Sequence, residues 1–153
     1  MTFAIGCDHA GFELKQEILS LLEGLRIPVI DYGTDGNKSV DYPDYGEKVS
    51  QAVSSGNVER GILICGTGIG MSIVANKFPG VRASLCHDVF SARMSRLHND
   101  ANILVLGGRV IDKDSAKEIV RAWLDTSFEG DRHRRRLDKI VLIENTIVQK
   151  NVV

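Results

Sequence analysis

The chain of 153 residues has little cysteine, proline or aromatic content: three cysteines, three prolines, one tryptophan and an aromatic share of 6%. Cys7, Cys65 and Cys86 form an odd set with no C-x-x-C pair. A disulfide framework and a structural zinc site are therefore not expected, and the free thiols suit a reducing cytoplasm. No apolar run approaches membrane-spanning length, and no charged leader with a long apolar segment opens the chain; neither a membrane nor an export signal is expected. A formal net charge of -1 gives no general attraction for nucleic acid or acidic membranes. There is no linker, internal repeat or low-complexity tract, so residues 1–153 read as one domain. At this length it can bury roughly 70% of its unfolded surface.

Two phosphate-loop fingerprints are missing as well. Gly66-Thr67-Gly68-Ile69-Gly70 is followed by Met71, which breaks G-x-G-x-x-G, and no Lys-Ser or Lys-Thr follows the last glycine. Neither NAD nor a nucleoside triphosphate is indicated.

What is present is an alternation of short β-type runs with amphipathic helical segments, the pattern of a parallel sheet wrapped by helices. Strands are expected at Phe3–Cys7, Val29–Asp31, Ile62–Cys65, Ala83–Cys86 and Ile103–Leu106. A helix after Gly11 places Leu14, Ile18, Leu21, Leu22 and Leu25 on one face. Tyr32–Pro43 reads as a loop, with Asp44 capping the next helix. Asp88 caps a helix carrying Phe90, Met94 and Leu97, and Asp112 or Asp114 caps one carrying Ile119, Val120 and Trp123. Glu129–Arg136 reads as a polar hinge. Leu137–Val152 is expected to be a helix whose apolar face is wide enough to pack on a partner subunit.

The densest chemical signal is Gly61–Gly70. A strand buried on both faces ends in Cys65, and the glycines then let backbone N–H groups approach a ligand before a helix begins. Ligands of open parallel sheets bind at this carboxyl end of the strands. Asp8 and His9 follow the first strand onto the same edge, where Asp8 either caps the next helix or meets a ligand. Arg109 follows the fifth strand, and its guanidinium fork suits a phosphate. Tyr42, held between Asp41 and Pro43, either lines a pocket or covers the sheet edge. His98 closes a helix whose negative end favours an imidazolium, as a proton carrier or a simple C-terminal cap. Arg132 and Arg136 are one helical turn apart and could face a single phosphate. Metal binding is not expected, because neither His9 nor His98 has a helical partner at i+3 or i+4 in a ligand arrangement and the carboxylates are scattered.

At these residues the chain resembles the ribose/galactose isomerase family, on the side of its type B ribose-5-phosphate isomerases. The resemblance rests on Gly6–Gly11, Asp41-Tyr42-Pro43, Gly61–Gly70, Ala75-Asn76-Lys77, Ser95–Asp100, Gly107–Val110 and Gly130–His133, in order along almost the whole chain. It implies a Rossmann-like three-layer α/β/α sandwich with a five-stranded parallel sheet. It also implies a homodimer, sometimes paired into a tetramer, with sites shared between subunits, and metal-free, cofactor-free interconversion of ribose 5-phosphate and ribulose 5-phosphate. By the same resemblance Cys65 is the base between C1 and C2, assisted by Thr67, and Gly66, Thr67, Gly68, Ile69 and Gly70 form the anion hole. His98 opens the furanose ring with help from Asp8. His9, Arg109, Arg132 and Arg136 hold phosphate, Asn99 meets substrate oxygens, and Tyr42 lines the pocket. Some relatives carry a carboxylate base one turn further on; here that place is Met71. The rival readings are isomerisation of a 6-phosphohexose (allose or galactose 6-phosphate), a non-catalytic sugar-phosphate sensor, and a nucleic-acid module built on the 132–136 cluster.

Overall fold

The computed structural model describes residues 2–150. Five strands, β1 (Phe3–Cys7), β2 (Val29–Asp31), β3 (Arg60–Cys65), β4 (Ala83–Leu85) and β5 (Ile103–Gly107), pair in parallel in the order β2-β1-β3-β5-β4. Between and after them run α1 (Phe12–Gly24), α2 (Tyr42–Ser54), α3 (Ile69–Ala75), α4 (Val89–Asn99), α5 (Lys113–Asp125) and α6 (Asp131–Lys150). Val152, which the periodicity places in the last helix, lies outside the described residues.

The period-2 pattern of the central strands sorts the core into two layers. Ile5, Cys7, Ile62, Ile64, Leu104 and Leu106 pack with Leu14, Ile18 and Leu22 of α1 and Ile119, Val120 and Trp123 of α5. Ala4, Leu63, Cys65, Ile103 and Val105 face the opposite way, onto Val49 and Val53 of α2 and Met71 and Ala75 of α3. Each such large apolar side chain contributes roughly 1.5–3 kcal/mol of burial. The three-layer sandwich expected from the sequence is therefore the observed architecture.

Two expectations about segment limits are corrected. α2 begins at Tyr42, with Asp41 at the N-cap and Pro43 in the first turn, rather than after Asp44. Proline lacks the N–H that a first helical turn leaves unpaired, so it starts this helix where it would break an interior. The stretch read as a hinge is mostly helix, because α6 starts at Asp131. Its chain reversal is confined to Gly130 (φ 80°) and Asp131 (φ 42°). Among the described residues, no helix is long and apolar enough to cross a membrane.

Candidate active site

Parallel strands joined by helices give the sheet two chemically different edges. Strand ends and helix starts meet at the carboxyl edge; helix ends and strand starts meet at the amino edge. β1 and β3 are neighbours, with Cys7 opposite Ile64, and their connections leave in opposite directions. A crevice opens at such a switch point.

Cys65 stands there, 5% exposed, on the α2–α3 side of the sheet. The Gly68 N–H donates to its Sγ at 3.2 Å, aiming the positive end of a peptide dipole at the sulfur. Gly68 has φ 81°, and a Cβ there would overlap Leu85 Cδ1 and stand 3.1 Å from the Leu106 carbonyl. Only glycine makes this turn without strain. The Ile69 N–H donates to Thr67 Oγ1 at 3.3 Å, holding the exposed Thr67 side chain at the rim. The Tyr42 ring lies over Gly70, close enough that a Cβ would come within 2.7 Å of it.

The neighbouring strand ends close the crevice. Asp8 Oδ1 accepts from the N–H groups of Ala10 and Gly11 at 2.9 and 3.1 Å, fixing the exit from β1. The Val40 N–H donates to His9 Nδ1 at 3.2 Å, which leaves Nε2 of the neutral ring as its proton donor. The N–H groups of Gly108 and Arg109 donate to the carbonyls of Cys65 and Gly66, joining the end of β5 to the glycine loop. Arg109 Nη1 lies over Gly66, 3.6 Å from where a Cβ would stand. Among the described residues the exposed Arg109 guanidinium forms no ion pair, so it is available to an anion.

The remaining site residues sit elsewhere. α4 starts beside Asp88, whose carboxylate accepts from the Ser91 N–H, and runs back along the sheet. Ten residues at about 1.5 Å each carry His98 roughly 15 Å away, to the amino edge. Asn99 accompanies it, its carbonyl accepting from Arg82 Nε at 3.1 Å. Arg132 and Arg136 lie there too, on the first turns of α6. One chain therefore unites Asp8, His9, Tyr42, Cys65, Gly66–Gly70 and Arg109, and separately unites His98, Asn99, Arg132 and Arg136. It does not bring Cys65 to His98.

Three residues at these edges escaped the sequence reading. The His98 and His133 rings stack with centroids 4.2 Å apart and planes 10° apart. Glu129 Oε2 lies 3.1 Å from His133 Nε2 and 4.0 Å from His98 Nε2. Burial, then the nearby His98 and Arg132, pushes the His133 imidazole below its ordinary value, with Glu129 opposing. His87, just past β4, has a buried Nε2 with no hydrogen-bond partner among the described residues. Its place after a strand end was the available signal; nothing local in the sequence pairs His98 with Glu129 and His133.

His98, Glu129 and His133 put three ligand atoms within 4.8 Å of one another. Arg132 Nε lies 3.4 Å from His133 Nε2, and Arg136 Nη1 lies 3.4 Å from Nδ1. Two permanent cations at one imidazole oppose a metal ion and favour an anion.

Known proteins are similar to this chain over nearly its whole length. Ribose-5-phosphate isomerase B of Escherichia coli (strain K12) is 51% identical over 141 residues, covering 92% of this chain and 95% of that protein. D-erythrulose-4-phosphate isomerase of Pectobacterium atrosepticum is 44% identical over 147 residues, covering 95% and 96%. The solved structure of ribose-5-phosphate isomerase B from Clostridium thermocellum superposes with TM-score 0.94 at 55% identity, over 96% of this chain and 99% of that one. The family model for ribose/galactose isomerases matches residues 3–140, which takes in both edges of the sheet. A thiol cradled by glycine amides at one edge and a histidine–arginine cluster at the other are thus features of a chain that belongs to the ribose/galactose isomerase family.

Proposed function

We propose that this protein is an aldose–ketose isomerase that interconverts D-ribose 5-phosphate and D-ribulose 5-phosphate. The observation that carries the reading is the Gly68 N–H donated to Cys65 Sγ, inside a glycine loop at the switch point of the sheet. Proton transfer between C1 and C2 passes through an enediolate, whose developing oxygen charge needs donors already in place. Cys65 takes the proton from C2 and returns it to C1, and the Thr67 hydroxyl relays the proton that passes from O2 to O1. The amides of Gly66–Gly70 not already given to Cys65 Sγ or Thr67 Oγ1 meet the oxygen. Tyr42 walls the pocket over Gly70. The phosphate is not transformed; its binding to His9, Arg109, Arg132 and Arg136 holds the reacting carbons in register.

Ring opening precedes that step. The His98 imidazolium gives its proton to the furanose ring oxygen as the C1–O4 bond breaks, and Asp8 takes the proton leaving the C1 hydroxyl. Asn99 holds substrate oxygens. With Cys65 and His98 at opposite edges, this assignment needs a second copy of the chain whose amino edge faces the carboxyl edge of the first. We therefore read the protein as a homodimer, with pairing into tetramers open to the same surfaces. No metal or cofactor enters the scheme, and three free cysteines suit a cytoplasmic setting.

Purified protein treated with a chelator is expected to convert ribose 5-phosphate, and Cys65→Ala to lose roughly 10²–10⁴-fold in turnover, the range of general acid–base catalysis. Full activity in Cys65→Ala would sink the assigned base. Because a relative of similar identity is a tetrose-phosphate isomerase by name, kcat/KM is to be compared on four-, five- and six-carbon phosphates. A clear preference for either other length would displace the pentose reading.

A further inference from the structure

Nothing in the scheme above uses Glu129 or His133, yet both are built tightly around His98. The Glu129 N–H donates to the Leu97 carbonyl at 3.0 Å, tying the loop before α6 to the last turn of α4. Its carboxylate then meets two stacked imidazoles, at 3.1 Å from His133 and 4.0 Å from His98. Rings 4.2 Å apart cannot both carry a positive charge at low cost. His133 is the poorer place for it: its side chain is 4% exposed and lies against Arg132 and Arg136. His98 is 36% exposed, closes a helix at its negative end and has no arginine against its ring, advantages set against the shorter approach of Glu129 to His133. Of the two rings, His133 is thus the one kept uncharged, and a proton entering the pair is better accommodated on the His98 side.

We propose that Glu129, clamped by His133, is the positioning residue that sets the plane of the His98 ring and keeps the transferable proton on it for opening the furanose. The inference rests on the reading of His98 as the ring-opening acid. Glu129 touches no reacting atom; it acts through His98, as a carboxylate does when it orients a catalytic imidazole. His133 supplies the other constraint, a flat uncharged surface against which the His98 ring cannot turn.

The test compares wild type, Glu129→Gln and His98→Asn on ribose 5-phosphate with hydrogen or deuterium at C2. If Glu129 serves ring opening, Glu129→Gln lowers kcat/KM about tenfold or more, part of the roughly 10²–10⁴-fold that acid–base catalysis supplies. The C2 isotope effect then falls below that of wild type, because proton abstraction no longer limits the rate. D-Erythrose 4-phosphate, whose ring-closing oxygen carries the phosphate and which stays open, loses less than Glu129→Gln costs on the pentose. A variant within twofold of wild type, an isotope effect as large as that of wild type, or equal losses on both sugars overturns the proposal. His98→Asn separates this from the parent reading: if it keeps the full isotope effect, His98 does not open the ring at all.

Discussion

The three thiols of this chain share a strand-end position but not an environment. Burial pushes the Cys7 thiol up to about 12 and the Cys86 thiol up to about 11. Both stay protonated at neutral pH, and thiols of that kind are inert to alkylation. Cys65 instead faces the glycine loop. Brief treatment of the native protein with iodoacetamide at mildly alkaline pH is expected to label Cys65 first, with activity falling in step and ribose 5-phosphate slowing the reaction. Peptide mapping that finds Cys7 or Cys86 labelled ahead of Cys65 would contradict this. Gly68 gives the second residue-scale prediction. Gly68→Ala must hold a Cβ at φ 81° against Leu85 and the Leu106 carbonyl, a strain of about 1–3 kcal/mol. Urea unfolding should show that loss, and turnover should fall further because the N–H directed at Cys65 moves with the loop. Unchanged stability and turnover would mean the turn adapts freely.

Among the elements, α1 and α5 lie side by side on one face of the sheet and are bridged by a single carboxylate. Glu17 accepts from Lys113 at 2.9 Å and from Lys117 at 2.6 Å. These hydrogen bonds hold its carboxyl down at about 2, against an ordinary value of 4.5. A depressed carboxylate adds stability that is present above the ordinary value and is lost as pH falls through the folded one. Wild type should therefore melt above Glu17→Gln at pH 6, with the gap closing towards pH 2 and shrinking in high salt, since the pair is at the surface. A gap that persists at pH 2 would point to packing rather than charge. The same scale shows what local sequence could and could not reveal. Asp88 was legible as a cap, because a short acceptor before an apolar-periodic run has one obvious use, whereas Asp112 and Asp114 both fitted the next helix and the structure selects Asp112. The start of α6 was not: Arg132–Arg136 is polar on every side, so no periodicity separates helix from hinge. Gly130 and Asp131 decide it, through positive φ angles that composition does not announce.

At the scale of the whole molecule, strand-end residues announce the carboxyl edge, which is why Asp8, His9, Cys65 and Arg109 could be grouped from sequence. The edge to which His98 belongs is written in helix length instead, and the loop that delivers Glu129 and His133 to it is settled only by tertiary packing. One folded chain thus holds these two groups of residues about a sheet's height apart, and it also exposes a run of apolar side chains along α6. Ile140, Leu142, Ile143 and Ile147 are each more than half exposed, an arrangement that a solitary soluble chain rarely keeps. A two-fold dimer that covers this helix would use the same surface on both copies, and the proposed function requires that it bring opposite edges together twice. The consequence is measurable without a further structure. Cys65→Ala and His98→Asn should each be nearly inactive alone on ribose 5-phosphate. Unfolded together and refolded as an equal mixture, they should recover about a quarter of wild-type activity, since half of the dimers are mixed and each mixed dimer holds one intact site of two. If each site instead drew both residues from one chain, every site in the mixture would carry a lesion and activity would stay at the level of the separate variants.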